Sequence, residues 1–66
     1  LIYQKQKAMT TITATDIETK KAKTVTSPLP LNEAIKVYSK LTKGRIVGNK
    51  IKCFLAERMI EITFNN

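Results

Sequence analysis

The residues best placed to do chemistry in this sequence are cations gathered beside an aromatic ring. Lys43, Arg45, Lys50 and Lys52 fall within one short span, and Phe54 shares the alternation of Lys50 and Lys52. Lysines with an aromatic neighbour on an open strand face suit phosphate contact combined with base stacking. Phe54, together with Met59, suits the seam of a homodimer equally well. Lys36, Lys40 and Lys43 recur at i, i+4 and i+7. On a helix they would form either a phosphate-contacting ridge or a solvated face whose last lysines favour the negative end of the dipole. Lys20, Lys21 and Lys23 cluster at a turn. There they would reach into a nucleic-acid groove, as two-stranded ribbons do, or guard a sheet edge. Asp16 and Glu18 beside them offset most of their charge.

What the sequence lacks narrows the chemistry further. Its 66 residues hold 12 Lys+Arg against 5 Asp+Glu, a net charge of +7, with one cysteine and no histidine. One thiol without histidine supplies neither a zinc ligand set nor a nucleophilic triad. No element carries paired carboxylates for acid–base work, and a domain this small has little room for a substrate pocket. The expectation is a protein that is not an enzyme and uses no cofactor. Gly44 and Gly48 give the span 43–50 a passing likeness to a phosphate loop. Their spacing fits neither the Walker pattern nor the dinucleotide fingerprint, and it misses the KH-domain clamp by one residue. Cys53, between Ile51 and Leu55, reads as a small core residue. A single free thiol fits a reducing, cytoplasmic setting. No run of about 18 apolar residues exists, so no membrane partner is expected.

These side chains need elements to hold them. From Met9 to Ser27 threonines alternate with Ile12, Ala14 and Val25, a period of two that predicts a hairpin. The turn falls at Glu18–Lys21, which sets Ala14 opposite Val25, Thr13 opposite Thr26 and Thr15 opposite Thr24. Pro28 and Pro30 stop the second strand. Leu31, Ala34, Ile35, Tyr38 and Leu41 then form one apolar stripe at helical spacing, and Gly44 is placed to end that helix as its left-handed residue. Arg45–Val47 reads as a short strand, Gly48-Asn49 as a type II′ turn, and Lys50–Leu55 and Met59–Phe64 as two more strands. Matching their apolar faces sets Leu55 opposite Ile60, Cys53 opposite Ile62 and Ile51 opposite Phe64, with a four-residue loop from Ala56 to Met59 between them.

The order β-β-α-β-β-β predicts an α+β fold, a small antiparallel sheet with one helix packed on one face. Residues 1–8 are expected to be a flexible N-terminal segment without the apolar core of a signal peptide, and 9–66 to be one domain. A domain this short buries little surface, pairing is one remedy, and a homodimer is expected over a monomer. The function expected is that of a small nucleic-acid-binding or nucleic-acid-associated regulator. It would use Lys/Arg contacts to DNA or RNA phosphates, with little sequence readout. The alternative is a protein-interaction or inhibitor module, of a kind carried by mobile elements, which meets an acidic protein through a sheet edge or the Phe54/Met59 surface. One continuous basic face would favour nucleic acid; dispersed charge would favour the interaction module.

Overall fold

β-Branched residues alternating with small polar ones carry the described residues into strands on either side of one helix. The computed structural model of the chain describes residues 10–66; the segment 1–8 and Met9 lie outside the described residues. The elements are β1 (Thr10–Asp16), β2 (Ala22–Ser27), α1 (Leu31–Thr42), β3 (Arg45–Val47), β4 (Lys50–Leu55) and β5 (Arg58–Asn65). They build one five-stranded sheet in the order β2-β1-β5-β4-β3, antiparallel at every pairing. The helix packs against β4, β5 and β3. This is the α+β architecture that the sequence predicts. Three of the pairings are local hairpins, and the fourth, β1 with β5, joins the two ends of the described chain.

Two hairpin registers differ from expectation by two residues each. In the first, Ile12 faces Val25, Thr13 faces Thr24, Ala14 faces Lys23 and Thr15 faces Ala22. Asp16 is the cause. Its Oδ1 accepts the backbone N–H groups of Glu18 at 2.9 Å and Thr19 at 3.2 Å, an Asx-type turn. Its own N–H donates to the Lys21 carbonyl at 2.8 Å, and its carbonyl accepts from Lys20 N at 2.8 Å. The loop is therefore Ile17–Lys20, with Lys20 in the left-handed region at φ 66°.

In the last hairpin, Ile51 faces Ile62, Cys53 faces Ile60, Phe54 faces Met59 and Leu55 faces Arg58. The expected four-residue loop is a two-residue turn, with Ala56 at φ 52° and Glu57 at φ 63°. Two consecutive left-handed residues are the type I′ signature, usually filled by Asn-Gly. The register is fixed at the opposite end of the strands. Phe64 N donates to the Asn49 carbonyl at 2.9 Å, and Asn49 Nδ2 donates to the Phe64 carbonyl at 2.8 Å. With Phe64 held beside Asn49, Thr63 must meet Lys50 and Ile62 must meet Ile51. Because each slip is two residues, every side chain keeps its predicted face.

The helix begins after Pro30, whose carbonyl accepts from Ala34 N at 2.9 Å. Its left-handed terminal residue is Lys43 at φ 55°, not Gly44. Gly44 answers a packing demand instead. A Cβ there would lie 2.5 Å from Ile51 Cγ2, 2.8 Å from Cys53 Cβ and 2.9 Å from the Lys52 carbonyl. Gly48 fits its expected turn, with φ 62° and no positive φ at Asn49. The core is Ile12, Ala34, Ile35, Ile51, Cys53, Ile62 and Phe64, and Tyr38 meets Phe64 edge-on at 5.6 Å. Leu41 does not join it, being 75 % exposed. The buried side of α1 continues from Tyr38 to the half-buried Thr42, whose Oγ1 donates to the Tyr38 carbonyl at 2.7 Å and accepts from Gly44 N at 3.1 Å.

Candidate nucleic-acid interface on the open sheet face

Cross-strand partners share a face of the sheet, so the registers dictate which side chains stand together. The face away from α1 carries the row Arg45, Lys52, Glu61, Thr15, Ala22. Beside it runs Val47, Lys50, Thr63, Thr13, Thr24, and on its other side stand Phe54 and Met59. The structure thus brings Arg45, Lys50, Lys52 and Phe54 onto one surface, as the alternation of β4 predicts.

Phe54 is 65 % exposed and Met59 39 %, an apolar ledge at the hairpin end of the basic patch. Glu61 stands opposite Lys52, not Phe54 as the expected register had it. Its carboxylate reaches diagonally to Lys50, Oε1 lying 3.9 Å from Nζ. Arg45 and Lys52 make no ion pair among the described residues. A threonine carpet continues the face, with the Thr13 and Thr24 Oγ1 atoms 3.1 Å apart.

The remaining candidate cations lie elsewhere. Lys36 and Lys40 stand on the exposed side of α1, opposite the buried Ala34 and Ile35. Lys43 has left the helix, so the expected three-residue row shortens to two. Through Gly44 it borders Arg45 at the corner of the sheet. Lys20, Lys21 and Lys23 belong to the β1–β2 hairpin, where Lys21 and Lys23 border a shallow concavity with Ala14, Asp16, Ala22 and Ile60. Among the described residues positive charge is therefore divided among three surfaces, and of these only the open sheet face combines it with an exposed aromatic ring.

Two polar contacts were invisible to pattern reading. Arg58 Nη1 lies 2.9 Å from Asp16 Oδ2 and 3.9 Å from Glu18 Oε1, tying the tips of the two long hairpins together. Hydrogen bonds from the Thr19 N–H, and then from Glu18 N–H and Arg58, hold the Asp16 carboxyl below its ordinary value against the opposing effect of burial. These partners meet only through the β1–β5 pairing, which no local motif announces. Cys53 is buried, its Sγ 3.7 Å from the Ile60 carbonyl, in the core position expected of it.

Among the described residues no cluster of histidine, cysteine and acidic side chains could hold a metal ion, and no helix is long and apolar enough to cross a membrane. Comparison with protein-family models, curated proteins and solved structures yields no match.

Proposed function

We propose that the protein is a non-enzymatic nucleic-acid-binding module whose contact surface is the open sheet face. The observation that carries this reading is the placement of Arg45, Lys50 and Lys52 beside the exposed Phe54 on β3 and β4. Single-stranded DNA or RNA is the form that fits. A flat sheet face offers no helix to a major groove, whereas unstacked bases can lie on an aromatic ring. Arg45, Lys50 and Lys52 would neutralise backbone phosphates, Lys50 giving up its exposed 3.9 Å contact with Glu61, and Phe54 would stack one base, a contact worth roughly 1–3 kcal/mol. Readout of sequence would be weak, because the face presents threonines and lysines instead of bidentate base-reading groups. The buried free thiol of Cys53 favours a reducing, cytoplasmic setting as part of the same proposal.

Titration of a labelled single-stranded oligonucleotide, followed by fluorescence anisotropy, tests the reading. Phe54→Ala should weaken binding about tenfold or more; unchanged affinity would remove Phe54 from the site.

A second reading keeps a specific observation in its favour. The division of cations among three surfaces suits a module that meets an acidic protein, or a second copy of itself, through the Phe54/Met59 ledge. Light scattering on the wild type and on Phe54→Ala separates these. A dimer that becomes monomeric on substitution identifies the ledge as a homodimer seam, and a wild-type monomer excludes that seam.

A further inference from the structure

The helix covers only part of its side of the sheet. Five strands spaced about 4.8 Å apart span roughly 19 Å, whereas a helix with its side chains is about 10 Å across. α1 lies over β4, β5 and β3. Beyond it the same face presents Val25, which is 50 % exposed, and the partly buried Ala14 and Ile60. Ala14 and Ile60 belong to a shallow concavity of about 500 Å³ that also includes Asp16, Lys21 and Lys23. The uncovered strip stops at the buried Thr10 and Ile12 of β1; it has an apolar floor and a cationic margin along the edge strand. Asp16, the acid of that margin, is engaged by Arg58 at 2.9 Å, which leaves Lys21 and Lys23 to set its charge. Neither lysine has an ion-pair partner among the described residues.

We infer that this strip is a docking surface for an amphipathic helix of a partner protein, with an apolar stripe bordered by glutamate or aspartate. The inserted helix would lie beside α1, its apolar stripe on Val25, Ala14 and Ile60, its acidic border against Lys21 and Lys23. Charge selects this occupant over a second copy of the chain. The exposed apolar flank of α1, Val37 and Leu41, is bordered by Lys36 and Lys40 against one acid, Glu33, so its net charge would meet Lys21 and Lys23 as like charge. Nucleic acid fits the strip poorly, since its floor is aliphatic with no ring for a base to stack on. The surface is on the opposite side of the sheet from Lys50, Lys52 and Phe54 and does not depend on their role.

The test uses a synthetic amphipathic helical peptide with leucines at i, i+3, i+4 and i+7 bordered by glutamates. Its controls are a peptide with lysines for the glutamates and a scrambled one. Titration into ¹⁵N-labelled protein should shift the amides of β1, β2 and Ile60, and the glutamate peptide should bind more tightly than either control. Lys21→Glu/Lys23→Glu, at exposed positions, should weaken that binding about tenfold, a loss of about 1.4 kcal/mol. Val25→Asp should weaken it without touching the lysines, and the wild-type pattern of unaffected amides verifies folding in each variant. Equal binding of the scrambled peptide, shifts confined to the Phe54 face, or no binding up to about 1 mM would each overturn the inference. Retention of oligonucleotide binding by Lys21→Glu/Lys23→Glu distinguishes failure at this surface from failure at the other.

Discussion

Arg45 and Lys52 stand directly opposite one another on adjacent antiparallel strands. Like charges in this position destabilise a sheet, and the nearest acid does not relieve them. Glu61, the partner of Lys52 on its other side, makes its ion pair with Lys50. A local arrangement that costs stability and gains no internal compensation is where a binding role is sought.

Replacing Arg45 by Thr should therefore stabilise the fold by about 0.2–1 kcal/mol while weakening oligonucleotide binding. Urea denaturation reads the first effect and anisotropy the second. A variant that loses stability would mean that Arg45 contributes packing that outweighs the repulsion.

Gly44→Ala should destabilise strongly, by about 1–3 kcal/mol, because the added methyl meets Ile51, Cys53 and the Lys52 backbone at once. Gly48→Ala tests a different cause. Nothing lies within 4 Å of a Cβ there, yet φ is 62°, so the cost should be only the left-handed penalty of about 1–2 kcal/mol. Thermal unfolding of the two variants should rank Gly44→Ala as the more damaging.

The Ala56-Glu57 turn holds two non-glycine residues at positive φ. Ala56→Asn with Glu57→Gly supplies the preferred type I′ pair and should raise stability by about 1 kcal/mol, a shift of roughly 4–8 °C in Tm for a domain of this size. No gain would show that the turn is not strained.

Asp16 supplies a pH dependence whose sign follows from its environment. Its pKa is lowered in the folded protein from an ordinary 3.8, so the native state favours the carboxylate more than the unfolded chain does. The resulting stability is fully present above the ordinary value and is lost as pH falls through the lower, folded value. Asp16→Asn keeps a side-chain acceptor for the Thr19 and Glu18 N–H groups but abolishes titration. Its stability should fall less steeply than the wild type's over the acid range below about pH 4. Parallel curves would remove Asp16 from the acid response.

Element order and faces were legible because alternation and helical spacing are properties of single segments. The β4 alternation alone put Lys50, Lys52 and Phe54 on the exposed side. Register was not legible, because alternation fixes the faces and leaves the pairing free in steps of two residues. Asn49 gripping Phe64 fixes one hairpin, and the Asp16 turn, braced by Arg58, fixes the other. Leu41 misled for a different reason. Ten residues at about 100° each leave it about 80° round the helix from Leu31, off the buried side that runs through Tyr38 to Thr42. Gly44 carried a correct signal with the wrong cause, since a helix stop and a close backbone approach both call for glycine.

The most direct test of the open face as a phosphate-binding surface is the salt dependence of binding to a single-stranded oligonucleotide. Each neutralised phosphate contributes about −0.7 to the slope of log K against log salt. Contacts by Arg45, Lys50 and Lys52 predict a wild-type slope of roughly −2, and Lys50→Thr/Lys52→Thr should reduce its magnitude by about 1.4. A wild-type affinity that does not change between roughly 50 and 200 mM salt, or a slope that the double substitution leaves intact, would contradict the account.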